Sequence, residues 1–291
     1  MASGKVNSTG ADPLNLWGNA REGSEVPTDI QHRAQPPAQL EPAGGWLELD
    51  AIAHSYRNRR GEAVQALADV SLRAHEGELV AVVGPSGCGK STLLEILCRL
   101  LVADHGSVLC PPAVLMPQRD LLLPWLSAVD NAALALRIAG LARAQARERA
   151  VELFAELGLD GFEQARPGEL SGGMRQRVAF ARTLLSGKPV LCLDEPFGAL
   201  DAITRAEMQQ WTTATLARER RTVVLVTHDV EEAILLADRL VILSSRPGRV
   251  IAELEVDCTR PRERSDAEVV ALRERALGAL AQGTRSSRRP A

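Results

Sequence analysis

A chain of 291 residues, 45% hydrophobic and 24% charged, has room for one large domain or two small ones and can bury a substantial core. Its formal charge of −3 leaves no electrostatic footprint for nucleic acid, so no nucleic-acid partner is expected. No apolar run approaches the roughly 18–20 residues of a membrane helix. The best candidate, residues 121–139, is broken by Pro124, Asp130, Asn131 and Arg137.

The opening M-A-S-G-K-V-N-S-T-G has no apolar signal core, which leads to the expectation of a cytosolic protein. Residues 1–45 are rich in Pro, Gly, Ser and Asn without sustained periodicity and read as a disordered extension. From Trp46 the stretches W-L-E-L-D, L-A-D-V-S-L and E-L-V-A-V-V-G, separated by glycine- and charge-rich turns, read as strands. Further on, A-V-L-M-P, P-V-L-C-L-D, T-V-V-L-V-T and R-L-V-I-L-S are continuous apolar runs, the pattern of strands buried on both faces. With helical segments between several of them, this order predicts an α/β fold with a largely parallel core sheet. Between Gln118 and Ser171 the strand signals vanish. Val151, Phe154 and Leu157 stand at helical spacing, with Gly158 placed to end the helix, so a helical insertion is expected there. Residues 259–291 form a charged tail, partly helical, that ends in R-S-S-R-R-P-A. The cysteines at 88, 98, 110, 192 and 258 are odd in number and lack metal-ligand spacing, so neither a disulfide framework nor a zinc site is expected.

The chemistry-bearing motif is Gly84-Pro85-Ser86-Gly87-Cys88-Gly89-Lys90-Ser91-Thr92, which fits G-x-x-x-x-G-K-[ST] between a strand and a helix. Its glycines let backbone N–H groups turn toward phosphate oxygens, and the helix N-terminus adds positive dipole. Lys90 would meet the β- and γ-phosphates, and the Ser91 hydroxyl would ligate Mg²⁺. Only Lys5, Lys90 and Lys188 are lysines, the other 31 basic residues being arginine, which singles out position 90 for a compact ammonium. Cys88 lies within this loop, where its thiol is expected to take alkylating reagents and, once alkylated, to block binding of the phosphates.

P-V-L-C-L-D-E ends an apolar strand in Asp194 and Glu195. Alone, such an end is a solvated terminus; beside a phosphate loop, Asp194 reads as a magnesium ligand and Glu195 as the group that orients or deprotonates water. T-V-V-L-V-T-H-D is a second such strand end, where Asp229 and Glu232 form a capping pattern that fixes His228 at the strand-to-helix corner, either as a structural residue or as a γ-phosphate contact. In E-L-S-G-G-M-R-Q-R, Ser171, Gly172 and Gly173 open a helix and suit an anion, although they lie far along the chain from the phosphate loop.

Taken together, G-P-S-G-C-G-K-S-T, Gln118, L-S-G-G-M-R-Q-R, V-L-C-L-D-E-P, G-A-L-D and T-H-D resemble, in order and approximate spacing, the ATPase subunits of ABC transporters over residues 46–258. The resemblance implies a P-loop NTPase cassette with an antiparallel β subdomain and an inserted helical subdomain at about residues 119–185. It implies ATP and Mg²⁺ as cofactors, and Tyr56, the one tyrosine of the chain, stacking on adenine unless it is simply structural. Gln118 matches the glutamine that touches Mg²⁺ and the lytic water. Ser171, Gly172 and Gly173 match the element that contacts the partner subunit's nucleotide in trans, and Asp201 the aspartate that crosses the dimer interface. Met174 stands where many members carry glutamine. The resemblance further implies a homodimer, transmembrane permease subunits, an indirect solute-binding protein, and a peripheral place on the cytoplasmic face of the inner membrane. In that setting residues 121–123 read equally as core and as permease-facing surface, and Trp125 as surface. M-P-Q-R-D-L-L-L-P-W, E-P-F-G-A-L-D-A-I-T-R and S-R-P-G-R-V-I are similar to importer ATPases for nitrate, sulfonates such as taurine, and pyrimidine precursors of thiamine. The alternative is a soluble ABC ATPase of an assembly system without a permease.

Overall fold

The computed structural model describes residues 47–286; the expected N-terminal extension and the last residues of the tail lie outside the described residues. Strands β1 (Leu47–Arg57), β2 (Ala63–Ala74) and β4 (His105–Leu109) form an antiparallel sheet in the order β2-β1-β4. The larger sheet runs β5 (Ala113–Met116), β6 (Val190–Asp194), β7 (Thr222–Thr227), β3 (Leu79–Val83), β8 (Arg239–Leu243) and β9 (Val250–Glu255). Its pairings are parallel except β8 with β9.

The continuous apolar runs are explained by two-sided burial. Along β3, Leu79, Ala81 and Val83 enter one core layer while Val80 and Val82 enter the other; along β7, Val223 and Leu225 alternate in the same way with Val224 and Val226. Each buried valine or leucine among them contributes about 1.5–3 kcal/mol relative to exposure. Helix α1 (Lys90–Leu97) lies in the second layer, between the two sheets, through Leu93, Leu94, Ile96 and Leu97.

The first layer is covered by the helical insertion, α2 (Ala128–Ala132), α3 (Leu134–Ile138), α4 (Arg143–Glu156) and α5 (Gly172–Leu184), and by α6 (Ala202–Glu219) and α7 (Val230–Leu236). Helix α4 buries Ala146, Ala150 and Phe154 at four-residue spacing and stops before Gly158, which has φ +60°. Val151, expected on the buried stripe, is turned outward, because the small alanines let α4 approach its neighbours more closely on the adjacent face. The charged tail holds a further helix, α8 (Ala267–Ser286), whose Val269, Leu272 and Ala276 join the first layer. Among the described residues no helix is long and apolar enough to cross a membrane.

One buried charge organises the insertion. Asp130 accepts from Arg143 at 2.9 Å and Arg147 at 2.8 Å, tying α2 to α4. Burial alone would raise its carboxyl, but the bonds from Arg143 and Ser127 and the two guanidinium charges outweigh it and hold the pKa below the ordinary 3.8. The folded state therefore gains stability that is complete above 3.8 and disappears as pH falls through the lower folded-state value. Because both arginines keep access to water, Asp130→Ala is expected to cost about 1–3 kcal/mol in denaturant melts at neutral pH, and the gap from wild type to shrink on acidification below that range; a gap independent of pH contradicts the ion-pair account.

Candidate active site

Four parallel neighbours in the sheet, β5, β6, β7 and β3, point their carboxyl ends to one edge. That edge is where an open parallel sheet places its ligands. The chain leaving β3 forms residues 84–89 and enters α1 at Lys90. Gly89 has φ +104°, and a Cβ there would lie 2.6 Å from Leu67 Cδ2 and 2.8 Å from the Ala66 carbonyl, so only glycine fits. Pro85 is half-buried, and Ser86 and Gly87 form the exposed crest. The Lys90 ammonium is folded into the loop mouth, donating to the carbonyls of Gly84 at 2.8 Å and Pro85 at 3.2 Å.

At the end of β6, Asp194 Oδ2 accepts from the Ser91 hydroxyl at 2.7 Å. Burial raises the Asp194 carboxyl; the Ser91 bond opposes this and the neighbouring Glu195 charge adds to it. Glu195 itself has φ +48°, a left-handed conformation unusual for a non-glycine residue. Its carboxylate is shared: Oε2 accepts from Gln118 Nε2 at 3.1 Å, and Oε1 lies 3.0 Å from His228 Nδ1. Thus Gln118 beyond β5, Asp194 and Glu195 at β6, His228 beyond β7, and Ser91 are brought together at one edge of the sheet. Asp229 caps α7 through the N–H groups of Glu231 and Glu232, which sets the corner that carries His228.

Tyr56 on β1 stands beside α1, its hydroxyl 3.1 Å from Thr92 Oγ1 and 3.4 Å from Glu95 Oε2. The ring meets His54 edge-on at 4.8 Å, and the residue is 42% exposed.

Ser171, Gly172, Gly173 and Asp201 stand apart. Among the described residues they make no hydrogen bond to the phosphate loop, to the carboxylates of β6 or to His228. Ser171 caps α5, its hydroxyl accepting from Met174 N–H at 3.2 Å. Asp201 caps α6 through Ile203 and Thr204 N–H, each at 3.1 Å, and its carboxyl is held low first by the Thr204 hydroxyl bond. The two caps are neighbours: a Cβ on Gly173 would sit 3.1 Å from Leu200 Cδ2. Met174 packs its side chain against the first core layer, which accounts for an apolar residue at this position.

Three groups carry no local signal in the sequence. Asp120 accepts from Arg175 Nε at 3.0 Å, and Arg182 donates to the carbonyls of Asp120 at 2.7 Å and Leu121 at 3.0 Å. Leu121 and Trp125, in the same loop, are 59% and 69% exposed, whereas Leu122 is buried and Leu123 half-buried. The five cysteines form no disulfide.

Cys88 is a correction. The loop thiol expected to react is buried against the Gly84 backbone, where a Cβ would stand 2.8 Å from its sulfur, and burial raises its pKa against the opposing Lys90 charge. Iodoacetamide should therefore modify Cys88 in the native protein about tenfold or more slowly than in the unfolded chain, and more slowly than the half-buried Cys98 and Cys258; mass-spectrometric labelling that finds Cys88 first contradicts the packing.

The ABC transporter family model matches residues 67–198. An aliphatic sulfonates import ATP-binding protein of Rhodococcus jostii is 46% identical over 243 residues, 81% of this chain and 94% of its own. A taurine import ATP-binding protein of Rhizobium johnstonii is 42% identical over 74% of this chain and 85% of its own. A formylaminopyrimidine import ATP-binding protein of Halalkalibacterium halodurans is 44% identical over 64% and 76%. Among solved structures, the dimeric post-hydrolysis state of the ATP-binding cassette MJ0796 bound to ADP and Pi superposes with a TM-score of 0.67 at 30% identity, covering 73% of this chain and all of that one. With a phosphate loop, paired strand-end carboxylates and a histidine corner on one sheet edge, and relatives of this similarity along most of its length, the chain belongs to the ABC transporter ATP-binding protein family and is an ATPase of the cassette type.

Proposed function

We propose that this chain is the ATP-hydrolysing subunit of a nutrient importer, and that two copies close on two Mg-ATP to drive a separate membrane permease. The observation that carries the catalytic part is the Glu195 carboxylate, held between Gln118 and His228 one residue beyond the Ser91–Asp194 pair. Glu195 takes the proton of the attacking water, and its partners keep the carboxylate aimed at one point. His228 contacts the γ-phosphate, and Lys90 meets the β- and γ-phosphates from the loop mouth. The N–H groups of residues 84–92 and the α1 dipole cradle the phosphate chain. Tyr56, exposed beside α1, stacks on adenine.

Ser91 and Asp194 fit magnesium, since a hydroxyl and a carboxylate 2.7 Å apart are hard oxygen donors and this ion needs only one or two protein ligands beside phosphates and water. Gln118 spends its amide N–H on Glu195 and keeps its carbonyl oxygen for the same ion. Held by Ser91, Asp194 and Gln118, such an ion would supply neutralisation of the charge that develops in phosphoryl transfer.

In the dimer, the N-terminus of α5, with Ser171, Gly172 and Gly173, faces the γ-phosphate on the partner's loop, and Asp201 crosses the interface beside it. The adjacency of the two caps supports their joint use. Exposed Leu121 and Trp125, three and seven residues after Gln118, supply an apolar surface for the permease. The subunit thereby sits peripherally on the cytoplasmic face of the membrane, with a solute-binding protein as an indirect partner. The relatives' names favour a sulfonate, taurine or pyrimidine-type nutrient, with nitrate in the same group.

Glu195→Gln is expected to bind ATP with near wild-type affinity while hydrolysis falls about a hundred- to ten-thousand-fold; turnover near wild type assigns the base elsewhere. Tagged protein should recover integral membrane subunits from detergent-solubilised membranes of its host. Recovery of soluble partners alone favours the assembly ATPase instead.

A further inference from the structure

The segment after Gln118 has an unusual construction. Among the described residues, the backbone of residues 118–122 makes no hydrogen bond to other backbone groups. Its path is set by side chains: Arg182 donates to the carbonyls of Asp120 and Leu121, Asp120 Oδ1 accepts from Leu122 N–H at 3.2 Å, and Asp120 Oδ2 accepts from Arg175 at 3.0 Å. Leu121 is thereby held at φ +44°, with Leu122 buried beneath it. Both arginines belong to α5, seven residues apart, which puts them on one face two turns along. Arg175 also donates to the Leu170 carbonyl at 2.8 Å and sits one turn from Ser171, whose carbonyl accepts its N–H at 3.0 Å.

We propose that Asp120 is a positioning residue that locks the Gln118 loop to the Ser171 helix, so that the two elements move as one body. The proposal rests on the reading above, in which Gln118 serves the chain's own nucleotide and Ser171 the partner's. A guanidinium fork suits this task, since its planar donors reach a carboxylate and a carbonyl at once, which an ammonium cannot reproduce. Any shift of α5 on engaging the partner's nucleotide is carried through Arg175 and Arg182 to Asp120, and two residues back along the chain to the Gln118 bond on Glu195. Occupancy of one site thus sets the aim of the base in the other.

The test is ATP hydrolysis by the full chain as a function of ATP concentration. Asp120→Ala should lower kcat about tenfold through misplacement of Gln118, leave KM within about twofold, and bring the Hill coefficient for ATP down to one. Asp120→Asn, which keeps one of the two acceptor oxygens and turns the other position into a donor, should restore only part of the loss. Combined with Arg175→Ala, the double variant should be no worse than the poorer single one. Thermal melts check folding; if Asp120→Ala does not fold, Asp120→Asn and Arg175→Lys carry the same comparison, with kcat and the Hill coefficient reduced in Arg175→Lys. Wild-type kcat and cooperativity in the folded Asp120 or Arg175 variants overturn the lock, as do additive losses in the double variant. If Glu195→Gln forms no ATP-dependent dimer and the wild type is itself non-cooperative, the two-site reading fails and takes the lock with it. A cooperative wild type beside an unaffected Asp120→Ala overturns the lock alone.

Discussion

The parallel pairing of β6 with β7 is the constraint on which the rest of the site depends. Asp194 stands opposite Val226, and the Glu195 N–H closes the ladder on the Val226 carbonyl at 2.8 Å. After that bond the chain turns left-handed at φ +48°, a conformation costing roughly 1–3 kcal/mol, which a strand buried on both faces can hold in place. The turn separates two adjacent carboxylates, sending Asp194 to Ser91 and Glu195 to Gln118 and His228. Because β7 also pairs with β3, Val83 opposite Thr227, the phosphate loop and the histidine corner begin from the same level. A slip of one residue in either pairing would reverse the alternation between core layers and dismantle the site together with the core.

The scarcity of lysine has a structural counterpart. Arg177 donates to the carbonyls of Leu157 and Gly158, Arg182 to those of Asp120 and Leu121, Arg221 to that of Leu184, and Arg239 to that of Arg73. Arg262 alone serves the carbonyls of Ile234, Ala237, Val256 and Cys258. Most of these carbonyls lie where helices and strands end, those of Asp120 and Leu121 in a loop, and a planar fork can satisfy more than one at once. Position 90 is different: a loop mouth six residues around admits one compact charge, and Lys90 already lies there.

Much of this was legible because it is local. The phosphate loop, the strand-end carboxylates and the His228 corner are each written in fewer than ten consecutive residues, and the two-sided burial of β3, β6, β7 and β8 leaves continuous apolar runs. The Asp120 cluster was not legible, because its donors are 55 and 62 residues away along the chain and nothing in R-D-L-L-L announces them. The burial of Cys88 was hidden for the same reason, since the buried cluster it joins includes Leu67 of β2 and Leu243 of β8, both distant along the chain. Helix α8 was partly legible: Val269, Leu272 and Ala276 keep helical spacing, but the arginines and glutamates around them made the segment read as a tail.

The contact of Gly173 with Leu200 has a consequence for how two copies would read each other. The start of α5 packs closely on the approach to α6, so that a methyl group added at 173 would meet Leu200 Cδ2 at 3.1 Å. In a dimer built as proposed, Ser171 and Asp201 therefore behave as a single stiff lip rather than two separate fingers. A stiff lip seats fully or not at all, which gives nucleotide-driven closure the character of a latch.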